Sequence, residues 1–178
     1  IRDSSKSDSG KTTFTVGFDA EYPPYGYMDD SGEYTGFDLE LAQAVCDIEG
    51  WELVKTPIDW DSKDLELNNG NIDCIWNGFT MNGREDDYTF STPYVDNSQV
   101  IVVAENSGIE KLSDLAGKTV GVQAASAALD LLNSEEESGQ KALADTFGSL
   151  NEFADYNTAF TELQAGALDA PVSYTHLT

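Results

Sequence analysis

Two series of alternating periods set the limits on this chain's fold. "TFTVGF" carries Phe14, Val16 and Phe18 at period two, and "GFDLELAQAVCDI" then spaces Leu41, Ala44, Val45 and Ile48 as one stripe of a helix behind Asp38 as a cap. "WELVKTPI" reads as a strand, "DSKDLELNNG" as a short helix ended by Gly70, and "IDCIW" as another strand. A βαβαβ order implies a parallel sheet. A second series starts after "STPYVDN": "SQVIVVA" is an unbroken apolar run expected of a buried strand, followed by "KLSDLAG", "KTVGVQ" and "SAALDLL". It continues through a Gly/Ser/Glu-rich stretch to "NTAFTELQAG", with Asn157 and Gly166 as its helix caps. No Pro- or Gly-rich linker parts the halves, so the crossing at 96–99 is expected to be extended chain. The organisation expected is a flexible tether over 1–12, one α/β lobe over 13–97 and a second over 98–170.

Charge narrows the partners. With 33 acidic and nine basic residues, a formal net charge of -24 repels nucleic acid and anionic membrane surfaces, leaving a small ligand as the better fit. No run of apolar residues is long enough to span a bilayer. The polar opening "IRDSSKSDSGKTT" reads either as the tether left by a removed signal or lipid-anchor segment or as a plain disordered tail. Cys46 and Cys74 form no CxxC pair and no metal cluster with the single histidine. They read as two separate buried thiols or, in an oxidising compartment, as a disulfide between a helix and a neighbouring strand. No metal or cofactor is expected.

Two stretches can carry chemistry. In "FDAEYPPYGY", Asp19 and Glu21 precede a turn dense in rings, Tyr22, Pro23, Pro24, Tyr25 and Tyr27, at the carboxyl end of the first strand, where open α/β sheets bind ligands. The plainer reading is a rigid surface loop. In "NGFTMNGRED", Arg84 is the only arginine beyond residue 2. An arginine among carboxylates is commonly a weak surface ion pair, and the sharper alternative is a guanidinium fork for a ligand carboxylate. "MDDSGEY" fails the twelve-residue calcium loop and reads as a hairpin turn, and "SEEES" reads as a solvated loop. Ser126 has no partner histidine in a triad arrangement, His176 standing near the last residue.

Four ordered blocks, "FDAEYPPYGYMDDSGEYTGFDLELAQAV", "LNNGNIDCIWNGFTMNGREDDYTFSTPY", "LSDLAGKTVGVQAASAALDLL" and "YNTAFTELQAGALDA", resemble the extracellular solute-binding proteins that deliver polar amino acids to ABC importers. The resemblance covers about residues 13–170. It implies a periplasmic-binding-protein-like, type II two-lobe α/β fold that closes on one amino acid, located outside the cytoplasm as a periplasmic protein or cell-surface lipoprotein, with the importer's membrane permease as partner. By the same resemblance, Asp19 and Tyr22 are pocket residues of the first turn and Trp60 is the ring that covers the ligand side chain. Gly78, through its carbonyl, and Thr80, through its hydroxyl, meet the ligand ammonium, and Arg84 forks onto the α-carboxylate. In the second lobe Gln123, Ser126 and Ala127 stand at a turn entering a helix, where backbone N–H groups share that carboxylate. One residue fewer than the family pattern separates Thr80 from Arg84.

The last residues depart from the resemblance. After "LQAGALDA" an apolar strand ending in an acidic partner for the ligand ammonium is expected, and "PVSYTHLT" stands there instead, with Tyr174 at the acidic position and Pro171 unsuited to a central strand. "VSYTHLT" also reads as a translated transposon-end sequencing adaptor, so residues 171–178 are expected to be a non-native tail of a truncated metagenomic frame. The expectation is then an incomplete second lobe, a missing segment returning to the first, and uncovered strand edges that draw chains into dimers or exchanged oligomers. Cationic amino acids, glutamine and cystine all remain open as ligands. The same fold also hosts enzymes such as dehydratases of cyclic amino-acid precursors, for which Asp19 and Glu21 are the acid–base candidates, and extracellular sensing modules. The reading taken is a binding protein and not an enzyme.

Overall fold

The computed structural model describes residues 12–174, and the chain divides between Asp96 and Asn97 into two compact units. The expected tether, apart from Thr12, and the final residues of the expected tail lie outside the described residues.

The first unit opens with β1 (Thr13–Phe18), followed by a small antiparallel meander of β2 (Glu21–Tyr22), β3 (Gly26–Met28) and β4 (Tyr34–Thr35). Helix α1 (Phe37–Glu49), β5 (Glu52–Pro57), α2 (Lys63–Asn69) and β6 (Cys74–Ile75) complete it, with a one-turn 3-10 helix at Trp60–Ser62 leading into α2. The main sheet has the order β5-β1-β6, both pairings parallel, as the alternating periods predict. Being central, β1 is covered: Val16 and Phe18 are fully buried against Leu39 and Ala42 of α1. Burial of that many carbons is what holds a sheet this small together.

Helix α1 turns a different face inward from the one expected. Leu39, Ala42 and Cys46 are buried at helical spacing, whereas Ala44 faces solvent and Ile48 is 82% exposed. Both stripes are apolar at the same period, so periodicity alone could not choose between them. Asp38 is not the helix cap either. Gly36 occupies that position at φ 125, where a Cβ would lie 2.3 Å from the Tyr25 carbonyl oxygen, and Asp38 is buried within the first turn. Helix α2 ends as expected at Gly70, in the left-handed region at φ 73.

The second unit contains β7 (Gln99–Ile101), a 3-10 turn at Leu112–Leu115, β8 (Thr119–Gln123), α3 (Ala127–Asn133), α4 (Lys141–Ala144), β9 (Ser149–Phe153), α5 (Tyr156–Ala165) and β10 (Ala170–Tyr174). Its sheet order is β7-β10-β8-β9, with β8 parallel to both β9 and β10 and β7 antiparallel to β10. Leu115, Val120, Val122, Ala128, Leu132, Ala170 and Val172 form the core.

Four expectations are corrected here. The apolar run "SQVIVVA" is a short, half-buried strand at the sheet edge, not a buried central one. Strand β9 arises from "SLNEF", whose two polar residues face solvent and hide its period. Asp155, not Asn157, caps α5: its Oδ1 accepts the Thr158 backbone N–H at 2.7 Å and its Oδ2 accepts the Thr158 hydroxyl at 2.9 Å. Finally, Pro171 lies in a central strand. The parallel ladder with β8 stops at the Pro171–Gly121 pair, and the Pro171 carbonyl accepts Val102 N–H at 3.0 Å, so the missing donor falls where the β8 ladder ends. Tyr174 is buried in that strand and packs edge-to-face on Tyr156, ring centroids 5.9 Å apart.

Candidate functional site

In both units the polar and aromatic candidates gather where parallel strands end. Asp19 follows β1, Trp60 follows β5, and Asn77 and Gly78 follow β6, so three neighbouring strands deliver them to one edge of the first sheet. Asn77 ties two of these ends together, its side-chain oxygen accepting the Asp19 backbone N–H at 3.2 Å. The second unit repeats the device. Gln123, at the end of β8, donates its amide N–H to the Ala154 carbonyl after β9, at 3.1 Å.

Around Asp19 the turn is shaped by its own side chain. Asp19 is 6% exposed, and its Oδ1 accepts the Glu21 N–H at 2.9 Å, whereas Glu21 itself faces solvent. Tyr22 is almost fully buried against Gly78, where an added Cβ would lie 2.7 Å from the Tyr22 Cε1. Only glycine lets that ring and that backbone approach so closely.

Trp60 and Arg84 belong to one aromatic group. Trp60 is buried and meets Phe79 edge-to-face at 5.4 Å, and the Arg84 guanidinium carbon stands 5.1 Å from the Phe79 ring centroid. Arg84 is half-buried, its backbone N–H donating to Met81 at 3.0 Å in a turn that needs Gly83 at φ 77. This tight turn carries the chain from Thr80 to Arg84. Thr80 is half-buried beside it.

In the second unit, Ser126 caps α3, its hydroxyl oxygen accepting the Leu129 N–H at 3.2 Å while the side chain is 2% exposed. Ala127 begins the helix. The residue before the cap, Ala125, has φ 52, the one non-glycine residue in the left-handed region among the described residues. Such backbone strain collects at ligand turns.

Three features escape a sequence reading. Ala125 gives no compositional signal. Lys63, the first residue of α2, is 4% exposed; its Nζ donates to the Trp60 carbonyl at 3.3 Å and lies 5.2 Å from the Trp60 ring centroid. Its spacing four residues before Leu67 was the available signal, since both fall on one helix face. Asp38, read as a cap, is a buried acid whose Oδ1 accepts the Tyr94 hydroxyl at 2.7 Å, while Oδ2 has no hydrogen-bond partner among the described residues. Burial raises its pKa to about 6, partly offset by the Tyr94 hydrogen bond.

Cys46 and Cys74 are free thiols, so the disulfide alternative is not realised. Burial raises both pKa values, that of Cys74 to about 12, and holds them as neutral thiols. Among the described residues no three His, Cys, Asp or Glu side chains gather as a metal site, and no helix is long and apolar enough to cross a membrane. His176 lies outside the described residues.

α/β sheets whose polar turns collect at the ends of their parallel strands define a class of small-ligand binding scaffold. Within that class, the chain belongs to the bacterial extracellular solute-binding proteins, family 3, whose family model matches residues 14–170. It is 35% identical over 149 residues to the arginine-binding extracellular protein ArtP of Bacillus subtilis (strain 168), covering 83% of this chain and 55% of ArtP. Among solved structures it is similar to an ABC uptake transporter substrate binding protein from Streptococcus pneumoniae with bound histidine, at TM-score 0.85 and 34% identity over 92% of this chain and 66% of that one. It is also similar to the ancestral amino acid-binding protein AncCDT-1, a precursor of cyclohexadienyl dehydratase, at TM-score 0.82 and 28% identity over 92% of this chain and 70% of that one. The chain thus spans little more than half the length of ArtP.

Proposed function

We propose that this chain binds a polar amino acid outside the cytoplasm and delivers it to the membrane permease of an ABC importer. The observation that carries the proposal is the half-buried Arg84, packed on the Phe79 ring beside the buried Trp60 at the carboxyl edge of a parallel sheet. In a chain of net charge -24, a guanidinium held there by aromatic packing is placed for an anion, and an α-carboxylate matches its paired donors. The Gly78 carbonyl and Thr80 hydroxyl are assigned to the α-ammonium, and Asp19, Tyr22 and Trp60 to the side chain. In the second unit Gln123, Ser126 and the Ala127 N–H are assigned polar contacts with the ligand. The amino-acid ligands named for family relatives support this class without fixing which amino acid binds here.

The reading excludes catalysis: a bound ligand should be recovered chemically unchanged. Self-association through sheet edges belongs to the same proposal, and light scattering at micromolar concentration checks it. The decisive experiment is a thermal-shift screen against the twenty amino acids, cystine and ornithine, followed by calorimetry on any hit. Arg84→Ala is expected to weaken the hit by about 2 kcal/mol or more, at least thirtyfold. Equal affinity in the variant would reject the assigned role of Arg84. No stereospecific hit, or turnover of the ligand, would reject the function.

A further inference from the structure

We propose that Tyr88, tied to Asp64 of α2, is a positioning residue: it fixes the Phe79 ring on which Arg84 packs and so holds the guanidinium in the orientation that receives a ligand carboxylate. The inference rests on the amino-acid-binding reading of the same site and deepens it by naming what sets the arginine's geometry.

Arg84 stands on a stretch with no regular element of its own. Residues 76–98, between β6 and β7, form neither helix nor strand, so no backbone ladder fixes them. A binding residue on such a loop reaches a defined geometry only through the packing and hydrogen bonds around it. The local turn supplies a part of this, the Arg84 carbonyl accepting the Asp87 N–H at 3.1 Å and the Tyr88 N–H at 3.2 Å. Both ends of that turn then meet one ring: the Arg84 guanidinium carbon lies 5.1 Å from the Phe79 centroid, and the Tyr88 ring, nearly perpendicular to Phe79, lies 5.0 Å from it.

Phe79 also touches Trp60 at 5.4 Å and Phe90 at 5.6 Å. Phe79, Tyr88 and Phe90 are half-buried and lie outside the core that Val16, Phe18, Leu39 and Ala42 build under the sheet. Apolar packing at such a place is non-directional, whereas a hydrogen bond is not. Tyr88 adds the direction: its hydroxyl donates to Asp64 Oδ1, which belongs to α2. A phenylalanine would pack on Phe79 and Phe90 equally well, so the hydroxyl is the part that packing does not require. Asp64 follows Trp60 by four residues, and the turn at Trp60–Ser62 runs straight into α2. One continuous helical piece thus grips the Phe79 ring twice, directly through Trp60 and through Asp64 by way of Tyr88. An arginine whose supporting ring is already fixed loses less freedom when it binds.

Tyr88→Phe, Asp64→Ala and Asp64→Asn in the full 178-residue chain test this, the last keeping an acceptor for the hydroxyl. The first readout needs no ligand. Arginine-selective carbon-13 labelling gives NMR signals from Arg2 and Arg84 alone, Arg84→Lys assigns them, and the Phe79 ring current marks the Arg84 side chain. That shift is expected to move toward the value of a freely solvated arginine in Tyr88→Phe and Asp64→Ala and to stay in place in Asp64→Asn. The second readout is calorimetry with whichever of the twenty amino acids, cystine and ornithine the natural chain binds most tightly. Tyr88→Phe and Asp64→Ala are each expected to weaken that binding about three- to tenfold, the double variant no further than either alone, and Asp64→Asn to retain most of it. Asp64 is exposed, so its variants keep the packing intact, and they are read for the pair should Tyr88→Phe not fold. A fall in thermal midpoint with the Arg84 signal or the affinity unmoved marks a merely structural contact; it overturns the role of Tyr88 and leaves amino-acid binding standing. Binding of none of these compounds by the natural chain overturns the amino-acid reading and this proposal with it.

Discussion

Replacing Asp38 by asparagine should make the first unit more stable at neutral pH, by an amount that depends on pH in a defined way. Asp38 is 1% exposed, and one of its two oxygens accepts a hydrogen bond from Tyr94 while the other has none among the described residues. Its pKa rises from an ordinary 3.8 to about 6 because burial disfavours the ionised form. A folded-state pKa above the unfolded value means that stability is full below about 3.8 and is lost as pH rises through about 6. At 1.36 kcal/mol per pH unit, the ionised carboxylate costs about 3 kcal/mol at pH 8, of which roughly half develops between pH 5 and pH 8. Asparagine keeps the shape and the acceptor for Tyr94 but cannot ionise. The other carboxylates titrate alike in both proteins, so the difference between variant and natural chain isolates Asp38. Urea unfolding followed by tryptophan fluorescence is the assay, because Trp51, Trp60 and Trp76 are all the tryptophans and all lie in the first unit. The stability difference in favour of Asp38→Asn should grow by about 1.5 kcal/mol from pH 5 to pH 8. A difference that stays flat with pH would show that Asp38 is not desolvated as described, and the reasoning would fail.

Two further outcomes follow from packing and burial. Gly78→Ala places a methyl 2.7 Å from the Tyr22 ring, so the thermal midpoint should fall with a loss of about 1–3 kcal/mol, and an unchanged midpoint would show that the ring yields freely. Cys46 and Cys74 should resist a thiol reagent in the native protein at pH 8 and both react in denaturant without reductant, whereas no reactive thiol in denaturant would reveal a disulfide.

Residues whose role follows from local chemistry were legible, and those whose role follows from a distant neighbour were not. The period-two run of β1 and the glycines closing α2 and α5 announce themselves within a few residues. The inward face of α1 did not, because Leu41, Val45 and Ile48 are as apolar as Leu39 and Cys46, and the sheet makes the choice. Asp38 looks like a cap from sequence because aspartate commonly serves there; its hydrogen-bond donor is Tyr94, 56 residues away. Arg84 stood out by its rarity in an acidic chain, while Lys63 was hidden among ordinary helix-forming lysines. What makes it unusual is contact with Trp60, which no composition records. Pro171 shows a rule correctly stated and too widely applied: a proline can enter a central strand where a neighbouring ladder ends.

The strand order has a consequence for synthesis on the ribosome. Among the described residues, the main sheet of the first unit draws only on residues 13–75 and that of the second only on residues 99–174. All hydrogen-bonding partners of β1 have therefore left the exit tunnel before the last strand of the second sheet is translated. Domain-wise folding during elongation can then close the first sheet early, so that β1 spends less time as an exposed, unpaired strand than a pairing spread along the whole chain would impose.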